Sequence, residues 1–198
     1  MVNKITMIYH HYLETLFGSK LKVKVIRNLY KFKEKSFTLR ELSKLSSITH
    51  PGLLKVLEDL HGMNLINLER ISNSIIIKLN RKSFLLNILK IYDIENNTLN
   101  ELIKTIKKYY IDNIFNTVAL FGSVVRNEER FDSDIDLLII TKSKELADNV
   151  AEKCKVEVIK KFGNVIMPYI LNKKEFNESN IRKEILKNNI LIKGEELK

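Results

Sequence analysis

The chain has 198 residues, 44% of them hydrophobic, a single cysteine and a formal net charge of +10. That length gives room for one domain or two small ones with real cores. No apolar run approaches the roughly 18 residues of a membrane span, and the start lacks the continuous apolar segment of a signal peptide. With Cys154 alone there is no disulfide framework, so a soluble protein of a reducing cytoplasm, away from membranes, is expected.

The charge is uneven. Residues 1–95 hold 16 Lys and Arg against 8 Asp and Glu, whereas residues 96–198 hold 18 against 16. A basic N-terminal half attracts a polyanion, with nucleic acid the first candidate and an acidic protein the second.

In chain order, Ile5, Ile8, Tyr9, Tyr12, Leu13, Leu16 and Phe17 keep helical spacing and Gly18 ends the run, which predicts an amphipathic helix with a face for its own domain or for a homodimer. Leu21 to Phe32 alternates at first and then steps like a helix, and the longer period wins. Thr38 and Glu41 form a capping box ahead of Leu39, Leu42 and Leu45. Ser46-Ser47-Ile48 then turns into a helix capped by Thr49, with Pro51 in its first turn and Gly62 at its end. Two β-rich runs, Leu65 to Arg70 and Ile75 to Leu79, read as a hairpin through Ile71-Ser72-Asn73-Ser74.

Helix, short helix, turn, helix and hairpin make a winged helix-turn-helix, expected over residues 1–95 with the extra N-terminal helix. If the helix from Thr49 enters a major groove of double-stranded DNA, His50, Gly52 and Lys55 face the bases, and Arg70, Asn73 and Ser74 of the wing reach backbone or minor groove. Lys20, Lys22, Lys24 and Arg40 are candidate phosphate contacts. A docking or dimerisation module would use the same surfaces.

A helix from Phe84 to Asp93 is expected to link the halves, with a boundary at Glu95-Asn96-Asn97 and a capping box of Thr98 and Glu101 opening residues 96–198. Beyond a helix to Tyr110, the apolar run Val118-Ala119-Leu120-Phe121 breaks into Gly122-Ser123, and Asp134-Ile135-Asp136 enters a second apolar run. On a strand Asp134 and Asp136 share one face, where two carboxylates about 6 Å apart repel by roughly 3 kcal/mol until a divalent cation lies between them. Gly122 allows a sharp bend and close approach of a phosphate, and Ser123 adds a hydroxyl donor. Either half alone is an ordinary turn or a solvated loop; in this order and spacing they point to one phosphate-and-metal site.

Gly122-Ser123, Arg126, Arg130 and Asp132-Ser133-Asp134-Ile135-Asp136-Leu137 resemble in register the signature of the minimal (MNT-type) nucleotidyltransferases of the polymerase-beta superfamily. Val124, Asn127 and Phe131 stand where relatives commonly carry Arg, Gly and Pro. The resemblance implies that Gly122 and Ser123 hold the triphosphate of a nucleotide, ATP first among them, and that Asp134 and Asp136 are catalytic and bind Mg²⁺ or Mn²⁺. It implies an α+β protein of two domains, the second a small mixed-sheet nucleotidyltransferase fold. Phe17 to Asn80 likewise resembles the winged helix fused to such domains in archaea.

Members that transfer nucleotides carry a third acidic residue on the strand after the long helix. Here that helix is Lys144 to Phe162, the strand is Val165 to Leu171 with Pro168 suiting an edge, and the strand has no carboxylate. Glu157 would serve only if Lys155 to Ile159 were a strand. Lys173 to Asn189 reads as helix, with a terminal strand at Ile190 to Ile192. Two functions stay open: a DNA-binding transcription regulator or antitoxin whose second domain binds metal-nucleoside triphosphate without transfer, and an active enzyme transferring a nucleoside monophosphate to a hydroxyl of a small molecule or partner toxin.

Overall fold

A computed structural model describes His10, residues 12–71, 74–130 and 132–197. The chain divides into two compact units, Met1–Asn96 and Asn97–Lys198, each with its own sheet, a mixed α+β architecture. Among the described residues no helix is long and apolar enough to cross a membrane.

In the first unit, helices α1 (Tyr12–Phe17), α2 (Lys20–Lys31), α3 (Leu39–Ser46) and α4 (His50–Gly62) pack with strands β1 (Phe37–Thr38), β2 (Ile66–Ile71) and β3 (Ser74–Leu79). Ile5, Ile8 and Tyr9 of the expected first helix, and Ser72 and Asn73 of the expected turn, lie outside the described residues. Gly18 ends α1 where a Cβ would meet the Glu14 carbonyl at 2.2 Å. Thr38 and Glu41 cap α3 reciprocally, Ser47 takes the left-handed conformation after it, and the Thr49 side chain caps α4. One core holds Val25, Ile26, Leu29, Leu42, Leu53 and Leu60. The sheet order is β1-β3-β2, all antiparallel. The two-residue β1 was not expected; it exists only through pairing with Ile76 and Ile77.

The expected helix break is also corrected. A 3-10 helix spans Phe84–Lys90, and α5 then runs unbroken from Ile91 to Lys107 through Thr98. Glu101 does not turn back to cap: its carboxylate meets Lys104 Nζ at 2.9 Å and Lys161 Nζ at 3.3 Å. Inside one continuous helix the Thr98 N–H already bonds to the preceding turn, so no orphan donor is left for a capping box.

The second unit continues with β4 (Phe115–Phe121), α6 (Ser123–Arg126), β5 (Ile135–Thr141), α7 (Lys144–Phe162), β6 (Ile166–Leu171), α8 (Lys173–Glu178), α9 (Arg182–Lys187) and β7 (Ile190–Gly194). The single helix expected over 173–189 is two short ones, because an Asn172 and Glu175 capping box starts α8 and Ser179 leaves helical geometry at its end. The sheet order is β6-β5-β4-β7, with β5 and β6 parallel and Pro168 on an edge strand. The larger core, on one face, gathers Leu102, Ile106, Leu120, Leu137, Ile139, Ala151 and Val158. The opposite face carries Phe121, Leu138 and Ile140, covered by Phe176 of α8 and Ile185 of α9.

Candidate functional site

Gly122 follows β4 with φ 76° and ψ −153°, a conformation essentially reserved for glycine. Phe121 pairs with Asp136 across the antiparallel β4–β5 ladder, so the bend falls beside that aspartate. A Cβ on Gly122 would stand 2.0 Å from Asp136 Oδ2 and 2.9 Å from its Cγ. The carboxylate therefore fills the space that any other residue's side chain would need. Ser123, half-buried, opens the single turn of α6, which Asn127 closes in the left-handed region.

Along β5, Ile135, Leu137 and Ile139 enter the larger core, leaving Asp136 on the face of Leu138 and Ile140. Asp134 lies one residue ahead of the strand and is exposed, whereas Asp136 is half-buried. Burial raises the Asp136 carboxyl above its ordinary pKa, and the charges of Asp134 and Glu184 push the same way against the opposing pull of Arg126. Two carboxylates that repel one another at a partly desolvated position suit a divalent cation, which would draw on Asp134 and Asp136. Among the described residues no three His, Cys, Asp or Glu side chains gather to hold a metal by themselves.

The neighbouring strand offers no further carboxylate. Asp136 is in register with Met167 and Leu138 with Tyr169; Tyr169 packs edge-on to Phe121 with ring centroids 5.1 Å apart. Glu157 belongs to α7, accepts a hydrogen bond from Tyr109 Oη and lies 3.8 Å from Lys108. Sequence reasoning missed Glu184. It stands beside Ile185 on α9 and accepts from Arg126 Nη1 at 2.6 Å, while Arg126 Nε donates to Glu128 at 2.8 Å. Only the packing of Ile185 against Phe121 and Leu138 reveals this nearness, and no local motif announces it.

The residues expected to face DNA are distributed as follows. His50 and Lys55 are exposed on α4; Gly52 is half-buried, and its N–H donates to Thr49 Oγ1 at 3.4 Å. Arg70 and Ser74 are exposed at the turn end of the β2–β3 hairpin, paired with Ile75 and Ile71 respectively. Asn73 lies outside the described residues. Lys20, Lys24 and Arg40 are exposed. Lys22 corrects its expectation as a phosphate contact: its ammonium donates to the Thr15 carbonyl at 2.9 Å and meets Asp59 at 2.7 Å, with the side chain only 14% exposed.

Residues 100–197 match the family model described as Polymerase beta, Nucleotidyltransferase, so the second unit carries a nucleotidyltransferase-like domain. Among curated proteins none matches the sequence. Among solved structures, a toxin-antitoxin crystallised with AMP-PNP is similar at 13% identity and a TM-score of 0.35, over 49% of this chain and 73% of that one. An archaeal chromatin protein, TrmBL2, described with a novel mode of DNA binding, is similar at 14% identity and a TM-score of 0.31, over 89% of this chain and 73% of that one.

Proposed function

We propose that the protein is a DNA-binding regulator or antitoxin-like protein whose second unit binds a metal-nucleoside triphosphate with transfer impaired. The carrying observation is the meeting of Gly122 with the Asp136 carboxylate, next to Asp134. In this reading Gly122 and Ser123 lie against the triphosphate and Asp134 and Asp136 hold the cation, Mg²⁺ or Mn²⁺. When bound, the cation neutralises charge on the phosphates. Met167, in register with Asp136 where a third carboxylate would serve, supports the loss of transfer.

For the first unit we read residues 1–95 as a winged helix-turn-helix. The order α2, β1, α3, α4, β2, β3 and the β1-β3-β2 sheet support it, as does the excess of eight basic over acidic residues. His50, Gly52 and Lys55 then face the major groove, and Arg70 and Ser74 belong to the wing.

A second reading, an active transferase acting on a hydroxyl of a small molecule or partner toxin, draws on the same Gly122 bend against Asp136 with Asp134 beside it. Labelled ATP with Mn²⁺ separates the two. Saturable, metal-dependent binding without label transfer, lost in Asp136→Asn, fits the first reading. Label appearing on an acceptor, and abolished by Asp134→Asn, fits the second. Absence of metal-dependent binding removes both.

A further inference from the structure

An open cleft of about 450 Å³ is lined by Glu129, Arg130, Phe162, Gly163 and Asn164, and nothing in the site described above uses it. Both of its walls are tied to Ser133, the residue before Asp134. On one side the Arg130 N–H donates to Ser133 Oγ at 2.8 Å and the Ser133 N–H to the Arg130 carbonyl at 3.0 Å. On the other, Asn164 Nδ2 donates to the Ser133 carbonyl at 3.1 Å, and the Ile135 N–H to the Val165 carbonyl at 2.8 Å. Both walls are thereby anchored to the residue that precedes Asp134.

Its chemistry is specific. Phe162 is half-buried against the larger core, with the Lys161 ammonium 5.2 Å from its ring centroid, and its remaining surface forms one wall of the cleft. Gly163 ends α7 at φ 82°, and among the described residues nothing beyond its own chain neighbours and helix comes within 4 Å of where a Cβ would stand. Asn164 keeps its amide oxygen and a second N–H beyond the bond to Ser133, and Glu129 and Arg130 bring an acceptor and a planar cation to the rim. A flat ring to stack on, an amide and one carboxylate suit a planar heterocycle with donor and acceptor edges, in a space of the size small ligands occupy.

We propose that this cleft seats a nucleobase, an inference that rests on the reading of Asp134 and Asp136 as a metal-triphosphate site. The base is that of the bound triphosphate or the terminal base of a nucleic-acid acceptor. Glu129 favours bases bearing an exocyclic amino group, adenine over uracil.

The full-length protein is titrated calorimetrically with Mn²⁺-tripolyphosphate, Mn²⁺-ATP, Mn²⁺-UTP and the dinucleotide ApA. Phe162→Leu keeps apolar volume but removes the stacking face; it should weaken Mn²⁺-ATP about tenfold and leave tripolyphosphate unchanged. Glu129→Gln, at an exposed position, should weaken ATP more than UTP. Weakening of ApA alone assigns the cleft to the acceptor's base, and of ATP alone to the donor's. Unchanged affinity for both in both variants overturns the proposal. Failure of tripolyphosphate to bind the wild-type protein sinks the parent reading instead, because the ApA arm still reports on the cleft.

Discussion

The Asp136 carboxylate occupies the position where a side chain on Gly122 would begin, 2.0 Å from the ideal Cβ. The glycine is required twice over, by its backbone angles and by what stands against it. Gly122→Ala should destabilise the second unit by about 3 kcal/mol, from backbone strain in a glycine-only region with the clash adding to it. In a double-mutant cycle, Asp136→Gly should recover the clash and leave the strain. Additive losses in chemical denaturation would show that the two residues do not share that space.

Basic residues of the first unit should behave differently from one another. Lys55→Ala and Arg70→Ala should weaken duplex DNA binding and flatten its salt dependence. Lys22→Ala should leave the salt slope unchanged and cost about 1 kcal/mol of stability, since it removes the partner of Asp59 and of the Thr15 carbonyl. Fluorescence anisotropy across a salt series, beside thermal melts, distinguishes the two behaviours.

Acid should loosen the start of α3. The backbone and side chain of Thr38 donate to Glu41, and this holds the Glu41 carboxyl below its ordinary pKa. A lowered carboxylate pKa gives stability that is complete above the unfolded value near 4.5 and lost as pH falls through the folded one. Wild-type and Glu41→Gln melting curves should therefore differ at neutral pH and converge below pH 4.5. A constant gap across that range refutes the capping role.

Tyr110 is fully buried, and its hydroxyl meets no hydrogen-bond partner among the described residues. Burial raises its pKa far above that of free tyrosine. Tyr110→Phe keeps the edge-on contact with Phe115 and removes the orphaned polar group, so stability should be unchanged or higher by about 1 kcal/mol. A loss larger than that, measured by urea denaturation, would reveal a partner for the hydroxyl.

What could be read from sequence was local. The capping box at Thr38, the turn at Ser47 and the bounds of α7, Lys144 to Phe162, depend on residues within a turn or two of each other. The Gly-Ser bend and the two aspartates were legible for the same reason. What escaped depended on distant partners. Strand β1 needs β3; the continuity of α5 involves Lys161, sixty residues away from Glu101; Lys22 turns inward because Asp59 awaits it. Glu184 acquires meaning only once Ile185 has been packed under the sheet. Charge in a sequence can be counted, but which charges remain for a ligand is decided by tertiary pairing.

Pro168 sits in β6, the outermost strand on one side of the second sheet. Lacking an N–H, it leaves a gap in the ladder that an incoming strand would need. Self-association by continuing this sheet is therefore biased toward the opposite border, Ile190–Gly194, and aggregation-resistant variants are best sought there.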